Sequence, residues 1–188
     1  MKEKRWELFE YPDIHTHVPK PQAVLSVDVT DKADLEQLHS HNGPFTVGVH
    51  PWNAGTPVDW NLLGELLQKP GAVGVGEAGL DYLRGAPINV QMDVFKKQIE
   101  LSEKLQLPLV IHAVKSYHDI LALKKEFMPK SPWVIHGFRG GVQLARQLTD
   151  AGLHLSLGTK YNDKVREEIP PTMLHNESDE VPGDIETP

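Results

Sequence analysis

Short apolar segments that alternate with longer amphipathic segments are the feature of this sequence that most restricts its fold. The apolar segments are rich in Val, Ile and Leu, which is typical of strands buried on both faces of a parallel sheet. Repeated alternation of strand and helix favours such a sheet with right-handed crossovers. The predicted strands are Asp13–His17, Ala23–Val29, Phe45–Val49, Ala72–Gly76, Leu109–Ala113, Trp133–His136, His154–Leu157 and Thr172–Asn176.

The segments between these strands carry helix signals. In TPVDWNLLGELLQKPG, Thr56 is placed to cap a helix and Pro57 to occupy its first position. The segment PINVQMDVFKKQIELSEKLQLP puts Phe95 and Ile99 on one helical face, and Pro108 ends the pattern. Two further helices are predicted in SYHDILALKKEF and GGVQLARQLTDAG.

The number of predicted strands indicates a (β/α)8 TIM barrel, an α/β fold that typically takes about 250 residues. This chain has 188 residues, and we predict a single domain over 1–188. No helical pattern follows the last predicted strand, and an acidic tail at about 180–188 takes its place. We therefore predict a distorted, shortened barrel that lacks the last C-terminal helix, with an open doubly wound sheet as the alternative.

Composition excludes several classes of protein. The chain has no cysteine, which excludes disulfides and thiolate metal ligands. Its formal net charge of −7 lacks the basic surplus expected of a protein that coats duplex nucleic acid. Neither a signal peptide nor a membrane-spanning apolar run is recognisable. The sequence predicts a cytoplasmic protein that has no membrane partner, and it leaves the oligomeric state open.

Imidazole and carboxylate side chains follow the apolar runs at most of the predicted strand ends. In a parallel barrel these ends meet at one mouth, so residues far apart in sequence converge there. Such donors can hold two divalent cations, and mixed nitrogen and oxygen ligation suits Zn, Mn, Fe or Co. A lone histidine at a strand end is usually structural, but the whole set predicts a dinuclear metal site. The predicted ligands are His15, His17, Glu77, His112, His136 and Asp179.

Further polar residues at the same barrel end have two interpretations each. His50 is either a substrate-facing hydrogen-bonding group or a structural neighbour of the site. Asp81 either orients a ligand imidazole or caps a turn in a glycine-containing loop. Lys115, Arg139 and Lys160 together fit an anionic, phosphorylated substrate, although each alone would be read as a solvated side chain.

The remaining histidines are assigned no role in the site. His39 and His41 lie in a polar stretch and are predicted to be solvated. His118 and His154 are interpreted as structural. His175 lies within the last predicted strand, where it would be packed or hydrogen-bonded, and we leave it out of the ligand set.

The ordered motifs DIHTH, VGVHPW, GVGEAGLDY, LPLVIHAVKSYHDIL, VIHGFRGG and LHNESDE resemble those of the TatD family of metal-dependent deoxyribonucleases. That family belongs to the amidohydrolase-like barrels. The resemblance runs from about Asp13 to Asp179 and implies a distorted (β/α)8 barrel. It also implies hydrolysis of DNA phosphodiester bonds with Mg or Mn, often as an exonuclease on DNA ends or single strands.

The resemblance also implies roles for individual residues. Glu77 corresponds to the carboxylate that bridges both metals, and Asp179 to a metal ligand that acts as general base, so these two are the expected catalytic residues. The imidazoles divide between the metals, with His15 and His17 on the first strand and His112 and His136 serving the second metal. Apart from the resemblance, the positions of His50, Lys115 and Arg139 at the mouth make them the expected substrate contacts, and the position of Asp81 makes it the residue expected to orient a ligand.

Some motifs depart from the family pattern. Many members have an arginine two residues after the fifth-strand histidine, whereas this chain has HAVK, with Lys115 as the substitute anion contact. HNESD places His175 and Asn176 where aliphatic residues are typical. Two alternatives therefore stay open. One is an amidohydrolase-type enzyme for C–N or small ester bonds, and the other is a non-catalytic metal-binding scaffold.

Overall fold

The computed structural model describes residues 6–180, so nearly all of the predicted acidic tail at about 180–188 lies outside the described residues. Eight strands form one sheet in chain order, and each pairs in parallel with the next. The strands are β1 (Asp13–Thr16), β2 (Ala23–Asp28), β3 (Phe45–Gly48), β4 (Ala72–Asp81), β5 (Leu109–Val114), β6 (Trp133–Ile135), β7 (Leu153–Leu157) and β8 (Leu174–Asn176).

The two edges of this sheet meet, which makes it a barrel. Thr16 of β1 forms a parallel bridge with Asp179, three residues beyond β8. The backbone N–H of His17 donates to the Asp179 carbonyl at 2.9 Å, and the Asp179 N–H donates to the His15 carbonyl at 3.0 Å. The predicted (β/α)8 barrel is confirmed, and the open doubly wound alternative is wrong.

Six helices connect the strands: α1 (Lys32–Ser40), α2 (Trp60–Leu66), α3 (Ile88–Leu105), α4 (Tyr117–Phe127), α5 (Val142–Asp150) and α6 (Asp163–Glu168). Short 3-10 turns cover Glu7–Glu10, Pro51–Asn53 and Pro171–Met173. Between β8 and Glu180, the last described residue, the chain forms no helix, as predicted. Within residues 6–180, no helix combines the length and apolar character needed to cross a bilayer.

The predicted start of α2 is wrong by several residues. The helix begins at Trp60 and not at Pro57, because Asp59 supplies the cap in place of Thr56. The Asp59 carboxylate accepts hydrogen bonds from the backbone N–H groups of Asn61 and Leu62, at 3.1 and 3.0 Å. These two donors have no partner inside the helix, so the carboxylate that satisfies them sets its first residue.

Strand β4 is longer than predicted, because it continues from Gly76 through Asp81. Its backbone has positive φ at Gly76 (135°) and Gly79 (145°), values that residues other than glycine rarely adopt. A Cβ on Gly79 would lie 2.1 Å from the carbonyl oxygen of His112, so β4 passes β5 more closely than a side chain would allow. Asp81 is therefore the last residue of a strand, and the prediction that it lies in a loop is wrong.

The barrel interior is apolar at its amino end and polar at its carboxyl end. Early strand residues pack together beneath Leu8, which comes from the N-terminal 3-10 turn and is completely buried. The inner cluster consists of Ile14, Val24, Val73, Val110 and Val134 with Leu8. Burying each such side chain contributes about 1.5–3 kcal/mol. This apolar floor leaves the opposite end free for the polar site.

Candidate metal centre

A carboxylate surrounded by imidazoles lies at the carboxyl end of the barrel. Glu77 Oε1 is 2.6 Å from Nδ1 of His112 in β5 and 2.7 Å from Nε2 of His136, which follows β6. Glu77 Oε2 is 3.3 Å from Nε2 of His15 in β1 and 3.4 Å from Nε2 of His17. Residues from β1, β4, β5 and the end of β6 therefore meet at a single carboxyl group.

Asp179 completes the set of six predicted ligands. Its Oδ1 lies 3.7 Å from the Nε2 atoms of both His15 and His17. The backbone bridge between β1 and Asp179 places the carboxylate there. Glu77 and His15 are buried, whereas the side chains of His17 and Asp179 are 34% and 33% exposed. The cluster is thus closed at its base and open to solvent on the His17 and Asp179 side.

The electrostatics of the cluster are dominated by Glu77 and its imidazole neighbours. Burial alone would raise the pKa of Glu77, but His136, His112 and His15 outweigh it and hold that pKa well below its usual range. Burial alone would lower the pKa of His136, but the carboxylates of Glu77 and Glu177 outweigh it and raise that pKa well above its usual value. Both directions favour the charged forms of Glu77 and His136, so positive charge beside the buried carboxylate stabilises it, and a bound cation could supply the same charge.

Asp81 fixes the orientation of His112. Its Oδ2 lies 3.2 Å from His112 Nε2 and accepts a hydrogen bond from Trp52 Nε1 at 2.7 Å. Its Oδ1 accepts from the backbone N–H groups of Leu83 and Arg84. Because an ionised carboxylate only accepts, Asp81 favours a proton on Nε2, and a cation bound between Nδ1 and Glu77 would leave that proton in place. This is the tautomer that a metal ligand requires.

Glu177 has the corresponding position beside His136, although it was not among the predicted site residues. It directly follows β8 and is 1% exposed, with Oε1 3.5 Å from His136 Nδ1. Burial raises the pKa of Glu177, but the His136 imidazole more than offsets this, so the net direction is downward. The sequence does contain a signal for Glu177: it lies two residues before Asp179 at the end of the same strand, and side chains at this spacing point to the same side.

His50 faces Glu77. Its Nδ1 accepts a hydrogen bond from the backbone N–H of Trp52 at 3.2 Å, so in the neutral ring Nε2 carries the proton and donates to Glu77 Oε1 at 3.1 Å. The preceding residue, Val49, is held by Gln98 of α3, whose side-chain amide bonds both the N–H and the carbonyl of Val49. His50 thus contacts the predicted bridging carboxylate directly.

A second buried glutamine on α3 holds the end of β4. Gln91 Oε1 accepts from the Asp81 backbone N–H at 2.8 Å, and Gln91 Nε2 donates to the Asp81 carbonyl at 3.0 Å. Gln91 and Gln98 lie seven residues apart and therefore share one helical face. Neither glutamine was predicted to support the site, although polar residues at this spacing on an apolar helix face are a recognisable signal.

Lys115 and Arg139 line a groove next to the metal centre. The groove has a volume of about 560 Å³ and shares Trp52, His112, His136 and Asp179 with the centre. Both cations are exposed, and neither forms an ion pair with another of residues 6–180. The structure therefore places them beside the predicted ligands. Lys160 is exposed in the segment after β7.

The donor set fits a bound cation. Both ring nitrogens of His15 are buried without a hydrogen-bond partner, which is costly unless another group satisfies them. Imidazole nitrogens and carboxylate oxygens are suitable donors for Zn, Mn or Fe. Three groups have ligand atoms within 4.8 Å of one another: His15 with His17 and Glu77, His15 with His136 and Asp179, and His50 with Glu77 and His112.

Comparison with known proteins identifies related sequences. The family model described as TatD related DNase matches residues 14–180. The deoxyribonuclease Tat-D of Schizosaccharomyces pombe is 33% identical over 155 residues, covering 71% of this chain and 50% of that protein. The 3'-5' ssDNA/RNA exonuclease TatD of Cronobacter turicensis is 34% identical over 119 residues, covering 60% and 44%. The chain spans about half the length of the curated relatives it matches.

Solved structures share the fold. The TatD homologue YJJV from Escherichia coli K12 superposes with a TM-score of 0.73 at 19% identity, covering 91% of this chain and 79% of that one. A TatD family hydrolase from Entamoeba histolytica superposes with a TM-score of 0.67 at 22% identity, covering 83% and 59%. Both similarities support the barrel architecture.

Proposed function

The chain belongs to the family of TatD-related DNases, and from this premise we propose that it is a metal-dependent phosphodiesterase that releases nucleotides from DNA ends. The observation that carries the proposal is the Glu77 carboxylate within 3.4 Å of five imidazoles, at the barrel end where the cationic groove opens. Because the chain spans only about half of its relatives, its substrate is part of the proposal.

The proposed cofactor is a pair of divalent cations. Mg or Mn is suggested by the family, and Zn is compatible with the imidazole donors. Glu77 would bridge them, with His15, His17 and Asp179 holding one and His112 and His136 the other. When bound, such a pair supplies a hydroxide at neutral pH and neutralises charge on the phosphate.

Residues of the chain would carry out proton transfer, phosphate binding and orientation of the metal ligands. Asp179 is the proposed general base, because its carboxylate is a third exposed and can accept a proton from a water at the mouth. Lys115 and Arg139 would hold the phosphate from the groove side. Asp81 and Glu177 would keep His112 and His136 in the ligating tautomer, and His50 would keep Glu77 in place.

The proposal is tested with Glu77→Ala on a 5'-labelled single-stranded oligonucleotide in the presence of Mn²⁺. We expect nucleotide release to fall by about 10³-fold or more, because both cations lose their shared ligand. Chelator should abolish release by the unchanged protein. Arg146→Gln is the matched control, since this exposed residue pairs with Glu168 between α5 and α6 and lines neither the metal centre nor the groove.

Two outcomes would reject the proposal in favour of the alternatives. Release of product from a panel of amides and lactones, but not from DNA, would indicate an amidohydrolase-type enzyme. Stoichiometric binding of metal, measured by titration calorimetry, with no turnover on either panel would indicate a scaffold.

A further inference from the structure

Trp52 stands at the boundary between the metal centre and the neighbouring groove. It belongs to the 3-10 turn that follows β3, is 38% exposed, and lines both cavities. An aromatic ring that stays partly exposed beside a charged site is available to a ligand.

The ring is held in place by its surroundings. Its Nε1–H donates to Asp81 Oδ2 at 2.7 Å, and the rings of His50 and Trp52 have centroids 4.6 Å apart. The guanidinium carbon of Arg84 lies 3.6 Å from the Trp52 ring centroid. Asp81 also accepts from the backbone N–H of Arg84, so one carboxylate anchors both residues. We call this pair, Trp52 with Arg84, the stacking platform.

Charge around the mouth is unequal on its two sides. The cavity of about 250 Å³ at the metal centre is bordered by Asp28, Asp34 and Glu180. The groove on the other side shares Asp179 with that cavity, but it also carries Lys115 and Arg139. A polyanion entering the mouth would be repelled on the first side and attracted on the second. Trp52 lies on the boundary between the two sides, so a strand attracted to Lys115 and Arg139 would pass its ring.

Resting on the proposed phosphodiesterase function, we propose that the stacking platform binds the unpaired base of the nucleotide next to the scissile phosphate. The planar faces of bases stack on indole and guanidinium groups, whatever the base sequence. The groove volume of about 560 Å³ lies within the range of small-molecule sites, about 300–1,000 Å³. A base inside a duplex must first leave its stack to reach such a platform, so the platform selects unpaired ends.

The test compares two single-stranded oligothymidylates, one intact and one with abasic terminal nucleotides at both ends. Removing a stacking partner is worth roughly 5- to 150-fold in affinity per base, so Trp52→Leu should raise KM about 10-fold or more on the intact strand. On the abasic strand the change in KM should stay below about 2-fold. Trp52→Phe keeps a ring but not the N–H, so its KM should remain near that of the unchanged protein.

Arg84→Gln provides a second variant with little risk to folding, because the side chain is exposed. It should raise KM on the intact strand by about 3-fold or more. Trp6→Leu is the matched control: Trp6 is 47% exposed and lies at the amino ends of β4 and β5, opposite the mouth. Its KM should not change on either strand.

Equal changes in KM on the intact and abasic strands would overturn the stacking proposal, as would a Trp52→Phe variant that behaves like Trp52→Leu. These results would assign Trp52 only to holding Asp81 and His112. If no DNA is cleaved at all, the proposed function fails, and fluorescence anisotropy with the same strands in chelator still decides the platform. Tighter binding of the intact strand, lost in Trp52→Leu, would support it, and equal binding would overturn it.

Discussion

At the scale of single residues, two histidines of the barrel, His136 and His175, lie in different surroundings. His136 lies between carboxylates, which raise its pKa, whereas His175 lies among rings. Phe9 stacks on both His154 and His175, with centroids 4.7 and 4.4 Å away, and the two imidazoles are joined by a 2.9 Å hydrogen bond. The prediction that His154 is structural agrees with this packing.

His175 should make the folded protein sensitive to acid. Burial, assisted by the nearby His154, lowers the pKa of His175 to about 4 from an ordinary value of 6.5. Between these two pKa values, His175 binds a proton in the unfolded chain but not in the folded chain. The free energy of unfolding therefore falls as the pH drops from about 6.5 toward 4. The loss amounts to about 3 kcal/mol. His175→Leu should remove most of this slope in urea unfolding of metal-free protein between pH 7 and pH 4.5.

The control for this experiment is His118→Leu, because His118 is exposed on α4. It should keep the slope of the unchanged protein. If His175→Leu and His118→Leu lose stability equally with falling pH, then His175 does not carry the effect.

At the scale of elements, the sequence predicted strand positions better than it predicted their irregularities. Runs of aliphatic residues located most of the strands, because burial on both faces requires such runs, whereas β1 (DIHT) and β8 (LHN) contain few aliphatic residues. The extension of β4 beyond Gly76 was missed, since glycine ordinarily interrupts a strand. Here glycine permits the close passage of β4 along β5, and only the three-dimensional contact between Gly79 and His112 reveals it.

Because β4 runs so close to β5, we predict that replacing Gly79 by alanine destabilises the protein. In Gly79→Ala the new Cβ would lie 2.1 Å from the His112 carbonyl oxygen, in a backbone conformation with φ near 145°. Since neither backbone can move without breaking strand pairing, we expect a loss of about 3 kcal/mol or more in the free energy of unfolding. Thermal and urea unfolding would measure it.

Gly64→Ala is the matched control, because nothing lies within 4 Å of a Cβ at this position in α2. It should stabilise the protein by about 0.5–1 kcal/mol through helix propensity. A Gly79→Ala variant as stable as Gly64→Ala would show that β4 and β5 are not held this closely.

At the scale of the whole molecule, the parallel topology accounts for most of the site that the sequence predicted. Once the strands are parallel, their carboxyl ends coincide, so His15, Glu77 and His136 must approach one another. Topology does not determine which neighbours orient each ring. The spacing of Glu177 from Asp179 indicated that it faces the mouth, but its contact with His136 and the contact of Asp81 with His112 depend on side-chain directions that the sequence does not give.

The contribution of barrel closure to the free energy of unfolding can be measured by removing the hydroxyl of Ser178. Ser178 donates from Oγ to Asp13 Oδ2 at 2.6 Å and from its backbone N–H to Asp13 Oδ1 at 3.2 Å, so it links the end of β8 to β1. Both residues are buried. Ser178→Ala leaves a buried carboxylate short of one donor and should cost about 1.5–3 kcal/mol in unfolding free energy.

The same variant should weaken metal binding, because the segment that closes the barrel also holds Asp179 beside His15 and His17. Calorimetric titration with Mn²⁺ would report the change. Ser40→Ala is the matched control, since the Ser40 hydroxyl bonds only the Gln37 carbonyl on the exposed surface of α1, and it should cost less than about 0.5 kcal/mol. Equal stabilities for the two variants would mean that Ser178 does not secure the closure, and the position of Asp179 would then depend on backbone pairing alone.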